Sequence, residues 1–330
     1  MERWKKTKCD PGSGGQQLAL AKSNLSRGKM FMRGVRREWQ LILMVLWPVL
    51  TIAIFDFMPM SGLLYAFQKV KLRSTSLFDN EWVGLKWFIQ FFESPNCFRV
   101  IRNTLVINVV SITLNFVVVL VCAVIVNEVP NGKFKKFCQS CTYFPNFIST
   151  AVIVGIVVNL LDPNTGILNL ILQRVFGMPY TDMLREKEWF RAIYILSGTW
   201  QWTGWSTILY LGAMSAIDPQ LYEAASVDGC GRIGKIWHIT IQGIKPLIVM
   251  CLILDFGKIM GGGSEKMLLM YSPTTMEVGD IISTFVYRTG LVSGEIGYGT
   301  AVGLFNSVIN LIMIITANAV ARKFSEDSLF

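Results

Sequence analysis

Long apolar runs alternate with short polar segments along most of the chain. A run of about 18 or more apolar residues is long enough for a helix to cross the hydrocarbon core of a bilayer. We predict one membrane-spanning helix for each of six runs: residues 40–66, 103–127, 137–161, 191–214, 244–262 and 298–320. The remaining segments are too short for a soluble catalytic domain of ~100 residues or more. The pattern therefore predicts an all-α polytopic membrane protein.

The first 36 residues do not share this pattern. Residues 1–36 are rich in Gly, Ser and Lys and have no periodic apolar positions, which predicts a disordered basic cytoplasmic tail before the membrane domain of residues 37–330. They also lack the apolar core and cleavage site of a secretory signal. Met30 or Met32 is an alternative to Met1 as the natural start.

Composition and charge agree with a location in the cell membrane. Hydrophobic residues make up 52% of the chain, charged residues 16%, and the mean hydropathy is +0.46. The net charge of +9 follows from topology, because Lys and Arg are more frequent in the segments that lie inside when both chain ends are cytoplasmic. No nucleic-acid motif accompanies the charge. We therefore expect contact with lipid and none with nucleic acid.

Few residues suit metal or redox chemistry. The seven cysteines are an odd number scattered over spans and loops, and Cys138 and Cys141 lack the context of a redox pair, so we expect free thiols. His238 is the only histidine, which excludes a histidine metal cluster and a Ser-His-Asp triad. An intramembrane enzyme is accordingly not expected.

The polar segment of residues 215–243, between the fourth and fifth spans, contains structure of its own. Asp218-Pro219 is typical of an N-cap followed by proline at the first helical position, which predicts a short helix from Leu221 to Val227. Asp228-Gly229 then supplies a turn, since glycine tolerates a positive φ angle. Apolar positions return at helical spacing after it. The segment therefore predicts a helix, a glycine turn and a second helix.

Residues 229–235 also match the G-x-x-x-x-G-K pattern of a phosphate-binding loop. Ile236 stands where a Ser or Thr must reach the magnesium ion, and the stretch follows a helix rather than a strand. We therefore expect no ATP binding by this chain.

The same segment carries the pattern Glu223-Ala224-Ala225, Gly229 and Ile239. It resembles the EAA loop of ABC importer permeases, in which this spacing marks the cytoplasmic element that docks into a cleft on the ATPase subunit, although Ile241-Gln242 stands where that family has Leu-Pro. Small alanines let a helix lie close to a partner, and one glutamate offers it a charge-assisted hydrogen bond. The resemblance implies that six residues couple this chain to the ATPase: Glu223, Ala224, Ala225, Asp228, Gly229 and Ile239.

The stretch Tyr143-Phe-Pro-Asn-Phe-Ile-Ser149 is close to a pattern of the LplB-like oligosaccharide permeases, and the resemblance covers nearly all of residues 37–330. It implies a type I ABC importer permease with a coupling-helix loop. Such a chain binds no cofactor of its own. Its implied partners are a second permease subunit, two ATPase subunits that hold the ATP and Mg²⁺, an extracytoplasmic solute-binding (lipo)protein and a sugar.

Polar and aromatic residues inside two predicted spans are candidates for the substrate pathway. Trp200, Gln201, Trp202 and Trp205 place aromatic faces beside an amide, a combination that commonly holds sugar rings; helix packing is the alternative. In the fifth span, Asp255 and Lys258 lie one turn apart and can pair on one helix face before Gly261-Gly262-Gly263 breaks the helix. A purely structural ion pair remains an alternative.

A second class of transporter is compatible with these residues. An ion-coupled secondary transporter of a small polar solute would use ionisable residues such as Asp255 and Lys258 at mid-membrane. Six spans without an evident inverted repeat fit that class poorly. The sequence leaves open which sugar is carried, its length and its charge.

Overall fold

The computed structural model describes residues 38–70, 79–130, 132–177, 179 and 181–324. The predicted tail of residues 1–36 lies outside the described residues. Most of the described chain is helical, and two short strands, β1 (Gln68–Lys69) and β2 (Glu81–Trp82), form an antiparallel pair.

The helices follow one another with short connections. The α-helices are α1 (Trp39–Ile52), α2 (Lys86–Glu93), α3 (Asn96–Asn127), α4 (Gly132–Tyr143), α5 (Thr150–Leu161), α6 (Ile167–Phe176), α7 (Lys187–Ser215), α8 (Pro219–Val227), α9 (Arg232–Lys235), α10 (Ile241–Gly243), α11 (Lys245–Phe256), α12 (Ser264–Met270), α13 (Met276–Gly279), α14 (Ile282–Val286) and α15 (Ile296–Phe324). Shorter 3-10 helices (Met58–Phe67 and Phe144–Phe147) and π-helices (Ala53–Phe57, Ile236–Thr240 and Tyr287–Val292) adjoin them.

The chain divides after Gly62 into two compact units. In the first unit, Pro48 lies inside α1, where it has no N–H to donate. The hydroxyl of Thr51 donates to the carbonyl of Trp47 at 2.9 Å. The helix then widens into the π-helical turn that contains Asp56.

The second unit, from Leu63 onward, has its core between long helices. The helices α3 and α7 pack along each other, and α15 packs against α2, α11 and α14. Three clusters of buried apolar side chains fill the contacts; Phe190 belongs to the first, Phe91 to the second and Tyr210 to the third. These contacts fix the helices that carry the residues discussed below.

Several helices suit a membrane. Within the described ranges, Trp39–Phe67, Asn96–Asn127 and Ile296–Arg322 are long and apolar enough to cross one, and two bent pairs raise the number to five if each pair is one span. Helix α7 occupies the fourth predicted span, residues 191–214, but it is less apolar because it carries Gln201 and several threonines and tryptophans. Its crossing of the membrane stays a prediction.

The predicted span of residues 137–161 is not one straight helix. Helix α4 and the 3-10 turn that follows it meet α5 at an angle of 98°. Pro145 lies in that turn, Ile148 is extended, and the Ser149 hydroxyl accepts from the backbone N–H of Val152 at the start of α5. A proline followed by a new N-cap is the physical reason for the break.

The glycine break predicted after the fifth span is present. Helix α11 already ends at Phe256, and Gly262 and Gly263 have φ angles of 98° and 69°. Helix α12 then begins directly after them, so the predicted span of residues 244–262 is shorter as a helix than expected.

Candidate functional site

The segment of residues 218–243, called the coupling segment below, folds as a helix, a glycine turn and a second helix. The Asp218 carboxylate accepts from the backbone N–H of Gln220 at 2.9 Å and caps α8. At the other end, the N–H of Cys230 donates to the carbonyl of Ala225 at 2.8 Å, and the N–H of Gly229 donates to Ser226 at 3.2 Å. With a φ angle of 75° at Gly229, these two bonds form a Schellman C-cap. Local sequence signals therefore specify both ends of α8.

The coupling segment exposes large apolar side chains. Leu221, Val227, Ile233 and Trp237 are 54%, 88%, 83% and 63% exposed. Glu223 and Ala224 are also exposed. An apolar surface rimmed by polar groups on an otherwise polar loop is typical of a protein-docking surface.

Side-chain bonds hold the two halves of the coupling segment together. The hydroxyls of Tyr222 and Thr240 lie 2.9 Å apart, and Lys235 Nζ donates to Ser226 Oγ at 2.6 Å. His238 Nδ1 lies 3.0 Å from the carbonyl oxygen of Gly234. The segment is thus braced internally while its outer surface stays open.

A cavity of about 470 Å³ lies between α3, α7, the end of α11 and α12. Six polar side chains are prominent in its lining: Asn108, Asn115, Tyr194, Gln201, Asp255 and Lys266. Gln201 is 2% exposed, and its Nε2 donates to the carbonyl of Ile148 at 3.3 Å. Asn108 Nδ2 donates to the carbonyl of Ile259 at 2.7 Å. Residues from helices that are far apart in the sequence therefore line one polar cavity.

Two buried amide oxygens in this lining have no hydrogen-bond partner among the described residues: Gln201 Oε1 and Asn115 Oδ1. Leaving a buried acceptor unpaired costs on the order of 1–3 kcal/mol. Both residues line the cavity, and neither oxygen has its hydrogen-bonding capacity satisfied within the described fold.

The segment of residues 277–288 is held against the ends of α3 and α7. Asn103 Nδ2 donates to the carbonyls of Glu277 and Asp280 at 2.8 and 3.2 Å, while Asn103 Oδ1 accepts from Arg191 Nη2 at 2.7 Å. The fully buried carboxylate of Asp280 accepts from both terminal nitrogens of Arg288, at 3.2 and 2.7 Å. These bonds hold the short connection between α13 and α14 in one position.

The sequence matches the family described as binding-protein-dependent transport system inner membrane component over residues 119–326, more than half of the chain. The chain belongs to this family. Membership makes it a multi-pass membrane transport subunit rather than a catalyst; in such systems ATP is hydrolysed by a separate subunit.

Individual relatives are similar to this permease over nearly its whole length. The polygalacturonan/rhamnogalacturonan transport system permease protein YteP of Bacillus subtilis (strain 168) is 39% identical over 92% of this chain and 94% of its own. Protein LplB of the same organism is 36% identical over 92% and 95%. A crystal structure of a bacterial ABC transporter involved in the import of the acidic polysaccharide alginate matches with a TM-score of 0.81 and 36% identity, over 89% of this chain and 99% of that chain.

The permease brings together only some of the predicted pathway residues. Gln201, Trp202 and Asp255 line the cavity. Trp200, Trp205 and Lys258 do not; both tryptophans are about half exposed, at 49% and 57%, and Lys258 is exposed. Asp255 and Lys258 form no ion pair; α11 ends at Phe256, and Lys258 lies in the turn that follows, where its N–H donates to the Asp255 carbonyl at 3.0 Å.

Four of the six polar lining residues named above were missed by sequence reasoning. Asn108 and Asn115 are seven residues apart in an apolar span, so they share a helix face, and that spacing was a usable signal. Tyr194 and Lys266 gave no local signal, because their contact joins positions 72 residues apart. Over the part of the chain that the structure describes, no cluster of His, Cys, Asp or Glu is suited to hold a metal ion.

Proposed function

We propose that this permease is one of two membrane subunits of an ATP-driven importer that carries acidic oligosaccharides into the cell. The observation that carries the proposal is the exposed, doubly capped helix α8, which presents Glu223-Ala224-Ala225 to a partner. A second permease completes the pathway, and two ATPase subunits hold the ATP and Mg²⁺. An extracytoplasmic binding protein delivers the cargo. Both chain ends then lie in the cytoplasm, on the side where the coupling segment meets the ATPase.

Each coupling residue has a distinct role in this proposal. The exposed Glu223 carboxylate pairs with a basic group of the ATPase, while the small Ala224 and Ala225 permit close approach. Asp228 and Gly229 end α8 and fix its direction. Ile239, which is half-buried, supports the second half of the segment from behind. Closure of the ATPases moves this segment as a body and rocks the helix bundle between outward-facing and inward-facing states.

The cavity is the part of the cargo pathway that this chain supplies. Trp202 offers an apolar face to a sugar ring, and Gln201 and Asp255 accept bonds from its hydroxyls. Trp200, Trp205 and Lys258, which are exposed outside the cavity, are assigned to the pathway surface between the two permeases.

The cargo class is inferred from relatives and cavity together. YteP is described as a polygalacturonan/rhamnogalacturonan permease, and the structural relative as an importer of the acidic polysaccharide alginate. A second structure of the alginate transporter, with a TM-score of 0.82 and 35% identity, contains a periplasmic protein bound to an alginate pentasaccharide. Polygalacturonan and alginate are both built from acidic sugars, so an acidic saccharide is the cargo class that we infer.

Charge reversal at Glu223 tests the proposal. In proteoliposomes holding the complete importer, we expect Glu223→Lys to abolish ATP-driven oligosaccharide uptake and weaken ATPase association. The control is Glu93→Lys, the same charge reversal at an exposed glutamate in α2, which should retain both. Wild-type uptake should survive collapse of ion gradients and stop on ATP depletion. Normal uptake and assembly with Glu223→Lys would refute the docking role, and uptake driven by an ion gradient alone would refute the class.

A further inference from the structure

Lys266 is a buried cation in the lining of the cavity. The residue is 7% exposed, its Nζ donates to the carbonyl of Tyr194 at 2.9 Å, and the same nitrogen lies 5.0 Å from the centre of the Tyr194 ring. One hydrogen bond and one aromatic face use only part of an ammonium group with three donors. The remaining donors are free for a molecule in the cavity.

Within the described ranges, no carboxylate forms an ion pair with Lys266. Removing an ammonium group from water without a counter-ion costs several kcal/mol. A carbonyl oxygen and an aromatic ring compensate for only part of that cost. Lys266 is also the only cationic side chain among the described residues that line this cavity. Its position is therefore favourable for an anionic group that arrives with a ligand.

Several acceptors belong to residues of the same lining. Gln201 Oε1 and Asn115 Oδ1 are unpaired, and the carboxylates of Asp255 and Glu265 also line the space. A simple inorganic anion would pair with Lys266 and leave these acceptors without a donor. A neutral sugar would serve the acceptors and leave Lys266 without a counter-ion. A uronic acid unit carries one carboxylate, which pairs with Lys266, and several hydroxyls, which donate to the acceptors.

We propose that Lys266 binds the carboxylate of a uronic acid unit, while Gln201 and Asn115 accept hydrogen bonds from its hydroxyls. Tyr194 holds the ammonium group in place through its backbone carbonyl and its ring. Lys266 is thus the residue that distinguishes an acidic sugar from its neutral counterpart. The inference rests on the proposed function, because it needs the cavity to be part of a saccharide pathway.

The test compares an acid with its neutral ester in the complete importer. Proteoliposomes containing both permeases, the ATPases and the binding protein are supplied with trigalacturonate or with fully methyl-esterified trigalacturonate. Lys266→Met removes the charge and keeps the length of the side chain. Lys69→Met, at an exposed lysine in β1, is the matched control. ATP hydrolysis stimulated by the binding protein reports that each variant folds and assembles.

We expect Lys266→Met to lower the uptake ratio of acid to ester about tenfold, since a charge-assisted hydrogen bond is lost from the acid only. Lys69→Met should leave the ratio unchanged. Equal loss of acid and ester uptake with Lys266→Met would show a structural role and overturn the inference, as would an unchanged ratio. If the wild-type importer carries the ester and not the acid, the inference and the acidic cargo class both fail, while ATP-driven saccharide import by this permease stands. If it carries neither in an ATP-dependent way, the proposed function itself fails.

Discussion

Arg232 of the coupling segment binds Glu128, which directly follows the last residue of α3. Its Nε donates to Glu128 Oε2 at 2.5 Å, and its Nη2 donates to the backbone carbonyl of Glu128 at 3.0 Å. Further along α3, Asn108 and Asn115 line the cavity. The guanidinium group therefore links the surface proposed to meet the ATPase with a helix that lines the proposed cargo site.

We predict that Arg232→Gln separates ATP hydrolysis from transport. Both side chains are partly exposed, so the loss of stability should be about 1 kcal/mol or less. The number of ATP molecules hydrolysed per molecule imported should rise severalfold, because α3 no longer follows the coupling segment. Parallel measurements of ATPase activity and uptake give this ratio.

The double variant Arg232→Glu with Glu128→Arg is the control for that prediction. It restores an ion pair of reversed polarity and should recover part of the coupling that either single charge reversal removes. If each single variant keeps the wild-type ratio of hydrolysis to uptake, the Arg232–Glu128 contact does not transmit motion.

The glycine turn offers a matched pair of substitutions. Gly229 has a φ angle of 75° and Gly231 an ordinary extended conformation, and an added Cβ would meet no atom within 4 Å at either position. Gly229→Ala should therefore cost about 1 kcal/mol through backbone strain alone and weaken ATPase association, while Gly231→Ala should be nearly neutral. Thermal unfolding and a pull-down with the ATPase measure both effects. Equal behaviour of the two variants would contradict a requirement for the Schellman cap.

A second matched pair tests helix packing in α7. A Cβ at Gly204 would lie 2.1 Å from the backbone oxygen of Thr142 in α4, whereas a Cβ at Gly212 would meet nothing within 4 Å. Gly204→Ala must push two backbones apart and should destabilise the protein by about 1–3 kcal/mol. Gly212→Ala should be neutral or stabilising by up to about 1 kcal/mol. The melting temperatures of the two purified variants in detergent should differ in this order; the reverse order would refute the close contact.

The pH dependence of trigalacturonate uptake should follow the protonation state of Lys266. Burial lowers the pKa of Lys266, which lies outside the predicted spans, to about 8. Only the protonated amine attracts a carboxylate, so uptake of trigalacturonate should fall as the pH rises through and above this value, while uptake of the ester should not. A bound carboxylate raises the lysine pKa and moves the midpoint upward.

Tyr194, Asp255 and Glu265 are the other titratable groups lining the same cavity. Lys266→Met separates the contribution of Lys266 from that of these groups, because the fall in trigalacturonate uptake at alkaline pH should vanish in that variant. An alkaline fall that persists in Lys266→Met would assign it to one of these groups.

The sequence predicted best those features that depend on neighbouring residues. The ends of α8 follow from Asp218-Pro219 and Asp228-Gly229, which lie directly at those ends in the sequence. The break between α4 and α5 was missed, although Pro145 was visible, because an apolar run is the same whether it is straight or bent.

The cavity was harder to predict, because it depends on contacts between distant segments. Lys266 reaches Tyr194 across 72 residues, and no periodicity in the sequence encodes that distance. Asp255 and Lys258 were expected to pair on one helical turn, but Lys258 lies beyond the end of α11. A chemical role could be assigned to single side chains from the sequence. Which of these side chains lie together could be seen only in the folded structure.

Helix α3 is fastened at both ends, by Arg232 at Glu128 and by Asn103 to the carbonyls of Glu277 and Asp280. A helix that is held at both ends can transmit motion in either direction. Thermodynamic linkage requires any coupling free energy between the nucleotide site and the cargo site to be reciprocal. In the proposed importer, whatever the nucleotide does to the affinity of the cavity lined by Asn108 and Asn115, an occupant of that cavity must do to the affinity for the nucleotide. In the proposed importer, the helix that carries motion from the ATPase to the cargo site therefore also carries the effect of bound cargo back to the ATPase.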